Sequence, residues 1–305
     1  MRALGIYMIA VFVGGALLAP LLYWLAQSFA GEFPKIANSP FHRFINRSLL
    51  SVALLGLWPL FRALGAGSLT EVGLVPRKCH WKELGVGFAL GFVSLAIVAA
   101  IALAGGARVM EPIDGRLWQR LFGAALTATV VAVLEEVLFR GAIFGALRKA
   151  FHWVKALIIS SMIYALVHFM QSASPGGTVH WYSGLEILPQ MLRGFADFHQ
   201  LFPGFLTLTV AGLLLGLAYQ RTGALYFSIG LHAGWIFWLK SYGILTRAAG
   251  SGQDWFWGKG KLIDGWLALG VMVGVLVVFV RTSGKTNAET RRMQRNAEVM
   301  GKGSA

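Results

Sequence analysis

Residues Thr127 to Leu147, TATVVAVLEEVLFRGAIFGAL, decide how this chain is read. A helix of roughly 20 residues, rising 1.5 Å per residue, crosses a hydrocarbon layer about 30 Å thick. The stretch has that length and no strand-like alternation, yet Glu135 and Glu136 stand side by side within it. An ionised side chain at the centre of a spanning helix costs about 2.5 to 3.5 kcal/mol, so such groups face protein or water and have partners. Arg140 lies four residues after Glu136, on the same face, with the acid N-terminal, the favourable orientation for an ion pair. Glu136 and Arg140 are therefore expected to form a structural ion pair. Glu135 is turned by about 100° from Glu136 and about 140° from Arg140, so it faces elsewhere. Its chemistry is that of a neutral carboxylic acid bridging helices, a general base or a metal ligand.

The surrounding sequence extends this pattern. Of 305 residues, 56% are hydrophobic and 13% charged, with a mean hydropathy of +0.64. Soluble domains carry about 25% charged residues, so a soluble globular chain, a disordered one and a coiled coil are all excluded. The composition implies an all-α polytopic membrane protein. Hydropathy places about eight transmembrane helices near Leu4–Ala26, Ser48–Leu64, Leu84–Gly106, Leu121–Leu147, Val154–Met170, Phe202–Tyr219, Ala224–Trp238 and Leu262–Val280. The first run, about 23 residues long, exceeds a signal-peptide core and is read as a retained helix. Backbone groups facing lipid must be bonded within their own segment, which makes these runs helices. The single cysteine, Cys79, offers neither an intrachain disulfide nor a metal-binding spacing.

Eight spans put both termini on one side. That side carries 15 Lys and Arg against 11 opposite, so both termini are expected in the cytoplasm of a plasma or inner membrane. The net charge of +14 is concentrated in loops and in a basic tail with Arg291, Arg292 and Arg295. The tail is expected to be a solvated flank against anionic lipid, and nothing beyond charge points to nucleic acid. Gln171 to Gln200, with Trp181, Tyr182 and the apolar 185–198 stretch, is expected at the membrane interface as an anchor or a substrate gate. Trp255, Phe256 and Trp257 form another expected anchor.

Seven histidines occur; His42, His80, His152, His180 and His199 lie in or beside loops. His168 and His232 instead lie in apolar runs. Each alone is as readily a helix-linking hydrogen-bond group as a catalytic one. With Glu135 on a third helix, they supply a base to deprotonate water and groups to face an oxyanion. A nucleophilic serine is disfavoured by the absence of GxSxG, and a zincin by the absence of HExxH.

Three motifs in this order, Glu135-Glu136-Val-Leu-Phe-Arg140, Tyr164-Ala-Leu-Val-His168 and His232-Ala-Gly-Trp235-Ile236, resemble the CPBP family of CAAX-processing and bacteriocin-processing intramembrane proteases. The resemblance covers roughly Trp118 to Trp238. It implies an all-helical fold enclosing a polar catalytic cavity and cleavage of membrane-associated, C-terminal or lipidated substrates. It also implies that Glu135 activates water together with His168, and that His232 helps hold the oxyanion. Two positions depart from the family pattern. Tyr164 replaces the usual Phe and brings a hydroxyl able to reach a neighbour. Ile236 stands where the family has Asn or Asp, leaving the indole N–H of Trp235 or a backbone amide as the substitute oxyanion donor. Losing one such donor costs about a hundred- to thousandfold in rate.

The chain is thus divided into N-terminal helices (1–115), a catalytic core (116–240), a loop and last helix (241–281) and the basic tail (282–305). The expected partners are the lipid bilayer and a membrane protein or peptide substrate. No cofactor is firmly required; the alternative is Zn²⁺ held by Glu135, His168 and His232, with a bound water completing the site. A non-catalytic scaffold or immunity protein of the same fold is the contrasting class.

Overall fold

The computed structural model describes residues 2–75, 80–170, 173, 177–195, 198–250, 252–258 and 262–282. Cys79 and the basic tail from residue 283 onward lie outside the described residues. The protein is an all-α membrane protein whose helices follow the apolar runs. We number them α1 (Arg2–Ser28), α2 (Phe41–Ala63), α3 (Trp81–Ala104), α4 (Leu117–Arg148), α5 (Trp153–His168), α6 (Ser183–Met191), α7 (Phe198–Thr222), α8 (Tyr226–Leu245) and α9 (Trp266–Thr282). Among the described residues, five helices have the length and apolarity to cross a membrane: α1 to α4 and the Leu201–Thr222 part of α7. Helices α5 and α9 are shorter, and α8, continuous over Tyr226–Leu245, carries the polar residues His232 and Lys240.

Chain reversals follow local chemistry. Helix α2 ends where Gly65 takes φ +72° and the Ala66 amide returns to the Phe61 carbonyl, a geometry that glycine adopts without a Cβ penalty. A two-stranded antiparallel ribbon, absent from the hydropathy reading, joins Arg108–Met110 to Thr246–Ala248. It ties the ends of α3 and α8, and Arg108 reinforces it by bonding the Thr246 carbonyl at 2.8 Å.

Glycines set the helix spacing. Gly87 and Gly91 of α3 face Gly230 and Gly234 of α8 so closely that a methyl group on any of them would strike the opposing backbone. Two GxxxG segments therefore pack against each other, the arrangement that lets spanning helices approach through small residues. A third, Gly212 and Gly216 of α7, receives Ser161 and Leu157 of α5. Helices α3 with α8, and α5 with α7, thus form two tight pairs. Outward-facing Leu55, Trp118, Phe122 and Leu126 are exposed, as a lipid-facing surface requires.

Within the 171–200 stretch expected at the interface, of which 171–172, 174–176 and 196–197 lie outside the described residues, Ser183–Met191 form the short helix α6. Its Ile187 and Met191 are buried against Ala19, Phe41, Phe44 and Ile45, while Gly184 lies directly on the Ala16 carbonyl. It is docked on α1 and α2, with Trp181 and Tyr182 left exposed beside it.

Candidate active site

The two glutamates close the regular part of α4, and the next eight residues, Val137–Phe144, wind as a π-helix. Such wide turns recur at functional sites because they redirect side chains within an otherwise regular helix. Here the Arg140 guanidinium reaches Glu136 at 2.8 Å, with both side chains almost completely buried. Arg140 also points to the Gly212 carbonyl at 3.4 Å and lies over the Tyr164 ring at 4.6 Å. The ion pair thereby joins α4 to α5 and α7.

Glu136 has a second partner that helical spacing along α4 did not reveal. His232 on α8 donates from Nδ1 to the same Oε1 atom at 2.9 Å. The other Glu136 oxygen has no hydrogen-bond partner among the described residues. An ionised carboxylate only accepts hydrogen bonds, so His232 carries its proton on Nδ1, and in the neutral ring Nε2 presents a lone pair. The Tyr164 hydroxyl meets that Nε2 at 3.2 Å.

Glu135 turns to the other side of this pair. Its Oε2 lies 3.6 Å from His168 Nε2 and 3.7 Å from His232 Nε2, within electrostatic reach but longer than a hydrogen bond. That oxygen has no hydrogen-bond partner among the described residues. The Glu135 and His168 side chains remain about one-quarter exposed although this oxygen itself is buried, and the His232 side chain is buried. His168 Nδ1 donates to the Tyr164 carbonyl at 2.8 Å, so its Nε2 also presents a lone pair when the ring is neutral. Three helices thus bring Glu135, His168 and His232 together, as their sequence order alone could not show.

Trp235 departs from expectation. Its indole N–H donates to Ser94 Oγ on α3 at 2.9 Å, and Ser94 in turn donates to the Gly91 carbonyl at 2.8 Å. A donor committed in this way does not face an oxyanion; Trp235 instead fastens α8 to α3. Ser94, part of this link, was not singled out from the sequence. Ile236 packs against the apolar cluster that includes Tyr164 and Ala233. Ser160 and Ser161 bond the Leu157 carbonyl, and Ser228 the Leu215 carbonyl, so these buried hydroxyls serve the helix backbone.

Three of the loop histidines, His80, His152 and His180, occupy structural settings. His80 stacks on Tyr226 at 4.2 Å and contacts Glu83, His152 caps α5, and His180 meets Thr178. His80 is buried rather than solvated, because the aromatic stack covers it. Among the described residues, no group of three or more His, Cys, Asp or Glu side chains has an arrangement that could hold a metal ion. His232 Nε2, one of the three atoms that would hold Zn²⁺ in the metal alternative, is also met by the Tyr164 hydroxyl.

Residues 117–238 match the family model described as Type II CAAX prenyl endopeptidase Rce1-like. Comparisons with curated proteins and with solved structures return no match. The matched segment begins with α4 and ends within α8, and so contains every residue of the polar cluster. Over residues 117–238, about 40% of its length, the chain is thus similar to that endopeptidase family, in agreement with its resemblance to the CPBP intramembrane proteases.

Proposed function

We propose that this protein is an intramembrane endopeptidase in which Glu135 activates the attacking water. The observation that carries this reading is the Glu135 carboxylate, on a partly exposed side chain, facing two imidazole Nε2 atoms at 3.6 and 3.7 Å inside a membrane-protein core. Water approaching the substrate carbonyl gives its proton to Glu135 while His168 Nε2 accepts its second O–H and orients it. The water oxygen bonds to the carbonyl carbon, and the carbonyl electron pair moves to oxygen. His232, anchored on Glu136, stabilises the oxyanion when its Nε2 is protonated, the imidazolium N–H donating to it. Protonated Glu135 then donates to the leaving nitrogen as the C–N bond breaks, which returns the carboxylate. Substrates are membrane-associated proteins cut near a C-terminal or lipidated end, and both termini of the protease are cytoplasmic.

The packing of Ile236 in an apolar cluster favours one competing reading, a scaffold of the same fold without efficient chemistry. The two are separated by incubating purified wild type and Glu135→Gln with a membrane-protein extract and reading new peptide termini by mass spectrometry. Termini made by wild type alone are expected. Identical sets from both proteins would remove the proposed role of Glu135 and favour the scaffold.

A further inference from the structure

One residue touches both histidines. Tyr164 accepts from His168 Nδ1 through its backbone carbonyl at 2.8 Å, and its hydroxyl meets His232 Nε2 at 3.2 Å. We propose that Tyr164 is a positioning residue for the candidate active site, setting the proton placement and orientation of both imidazoles and supplying at His232 the polar contact that Ile236 does not. The proposal rests on the endopeptidase reading above.

The hydroxyl has no evident packing duty. The Tyr164 ring meets Phe139 edge-on at 5.1 Å and lies beneath the Arg140 guanidinium at 4.6 Å, contacts that a phenylalanine ring would also make. The oxygen itself is what reaches His232. A phenol completely buried without a partner is unfavourable, so its position has a chemical reason. His232 Nδ1–H is committed to Glu136, which leaves Nε2 as the acceptor for Tyr164.

This contact separates the roles of the two histidines. With its lone pair engaged by Tyr164, His232 Nε2 does not compete for the proton that Glu135 removes from water. His168 Nε2, with its own Nδ1–H fixed on the Tyr164 carbonyl, stays open toward Glu135. Without the hydroxyl, the His232 Nε2 lone pair, 3.7 Å from Glu135, is free to accept from the attacking water and draw it away from His168. Ile236 follows His232 by one helical turn, on the same face, but has no polar group to hold the ring.

The test compares wild type, Tyr164→Phe, Tyr164→Phe/Ile236→Asn and Glu135→Gln in detergent, on a peptide substrate found from the new termini. Histidine ¹⁵N shifts report which ring nitrogen of His232 carries the proton. Tyr164→Phe is expected to lower kcat about tenfold, the size of one lost hydrogen bond. KM is expected to hold, the His232 ¹⁵N signals to move, and Ile236→Asn to restore part of kcat. Wild-type kcat in Tyr164→Phe, with Glu135→Gln silent, would overturn the role of Tyr164 alone. Full cleavage by Glu135→Gln would remove the endopeptidase reading and this role with it. If Tyr164→Phe also melts at a lower temperature, unchanged His232 ¹⁵N signals in its folded fraction would overturn the proposal, and shifted signals would support it.

Discussion

Glu135 and Glu136 are neighbours in sequence with different surroundings. Glu136 is fully buried between Arg140 and His232, whereas the Glu135 side chain remains about one-quarter exposed. Glu136→Gln would leave Arg140 without its countercharge in the core, and removing one partner of a buried pair costs about 3 to 5 kcal/mol. Its melting temperature in detergent should fall well below that of wild type, while Glu135→Gln should melt close to wild type. Equal melting of the two variants would contradict this division. A separate check concerns metal: the water-activation scheme predicts full cleavage after exhaustive chelation, and activity lost to chelator and restored by Zn²⁺ would contradict it. The Glu136–Arg140 relation was legible because both residues lie on one helix at a fixed spacing. The bonds from His232 to Glu136, from Tyr164 to His232 and from Trp235 to Ser94 were not, because each crosses between helices whose rotation and depth the sequence does not state.

Helix by helix, hydropathy located the apolar runs but said nothing of how near they approach. The missing signal is the spacing of small residues: Gly87 and Gly91, Gly212 and Gly216, Gly230 and Gly234 each lie four apart. His232 sits between the last two, so the contact of α8 with α3 sets the height and rotation at which its ring meets α4 and α5. A methyl group at Gly230 would meet the Leu84 carbonyl, backbone that cannot move aside as a side chain can. Gly230→Ala should therefore destabilise the protein by about 1 to 3 kcal/mol, the usual cost of overpacking, and reduce cleavage with it. Gly5→Ala, where nothing lies within 4 Å, is the matched control and should leave both unchanged. Equal stability of the two variants, measured by thermal unfolding in detergent, would show that α3 and α8 do not depend on this close approach. The π-helical stretch after Glu136 was also invisible to periodicity, since the 3.6-residue repeat assumes a regular helix.

Across the whole molecule, the sequence reading recovered the membrane character and the general position of each long helix. It misplaced several ends: α2 begins at Phe41 rather than near Ser48, and α8 continues to Leu245. Both extensions contain polar residues that lower local hydropathy while the backbone remains helical. The ribbon between Arg108–Met110 and Thr246–Ala248 pairs residues far apart in sequence, which short-range patterns do not report. Two glycine-mediated helix pairs, joined through α4, hold a carboxylate and two imidazoles at one place in this bundle. Whether that place hydrolyses peptide bonds is tested most directly by single-turnover cleavage in liposomes, comparing wild type with Glu135→Gln after both are shown to melt alike. Loss of the general base should slow cleavage by about 10² to 10⁴-fold. Cleavage by Glu135→Gln at the wild-type rate would contradict the account.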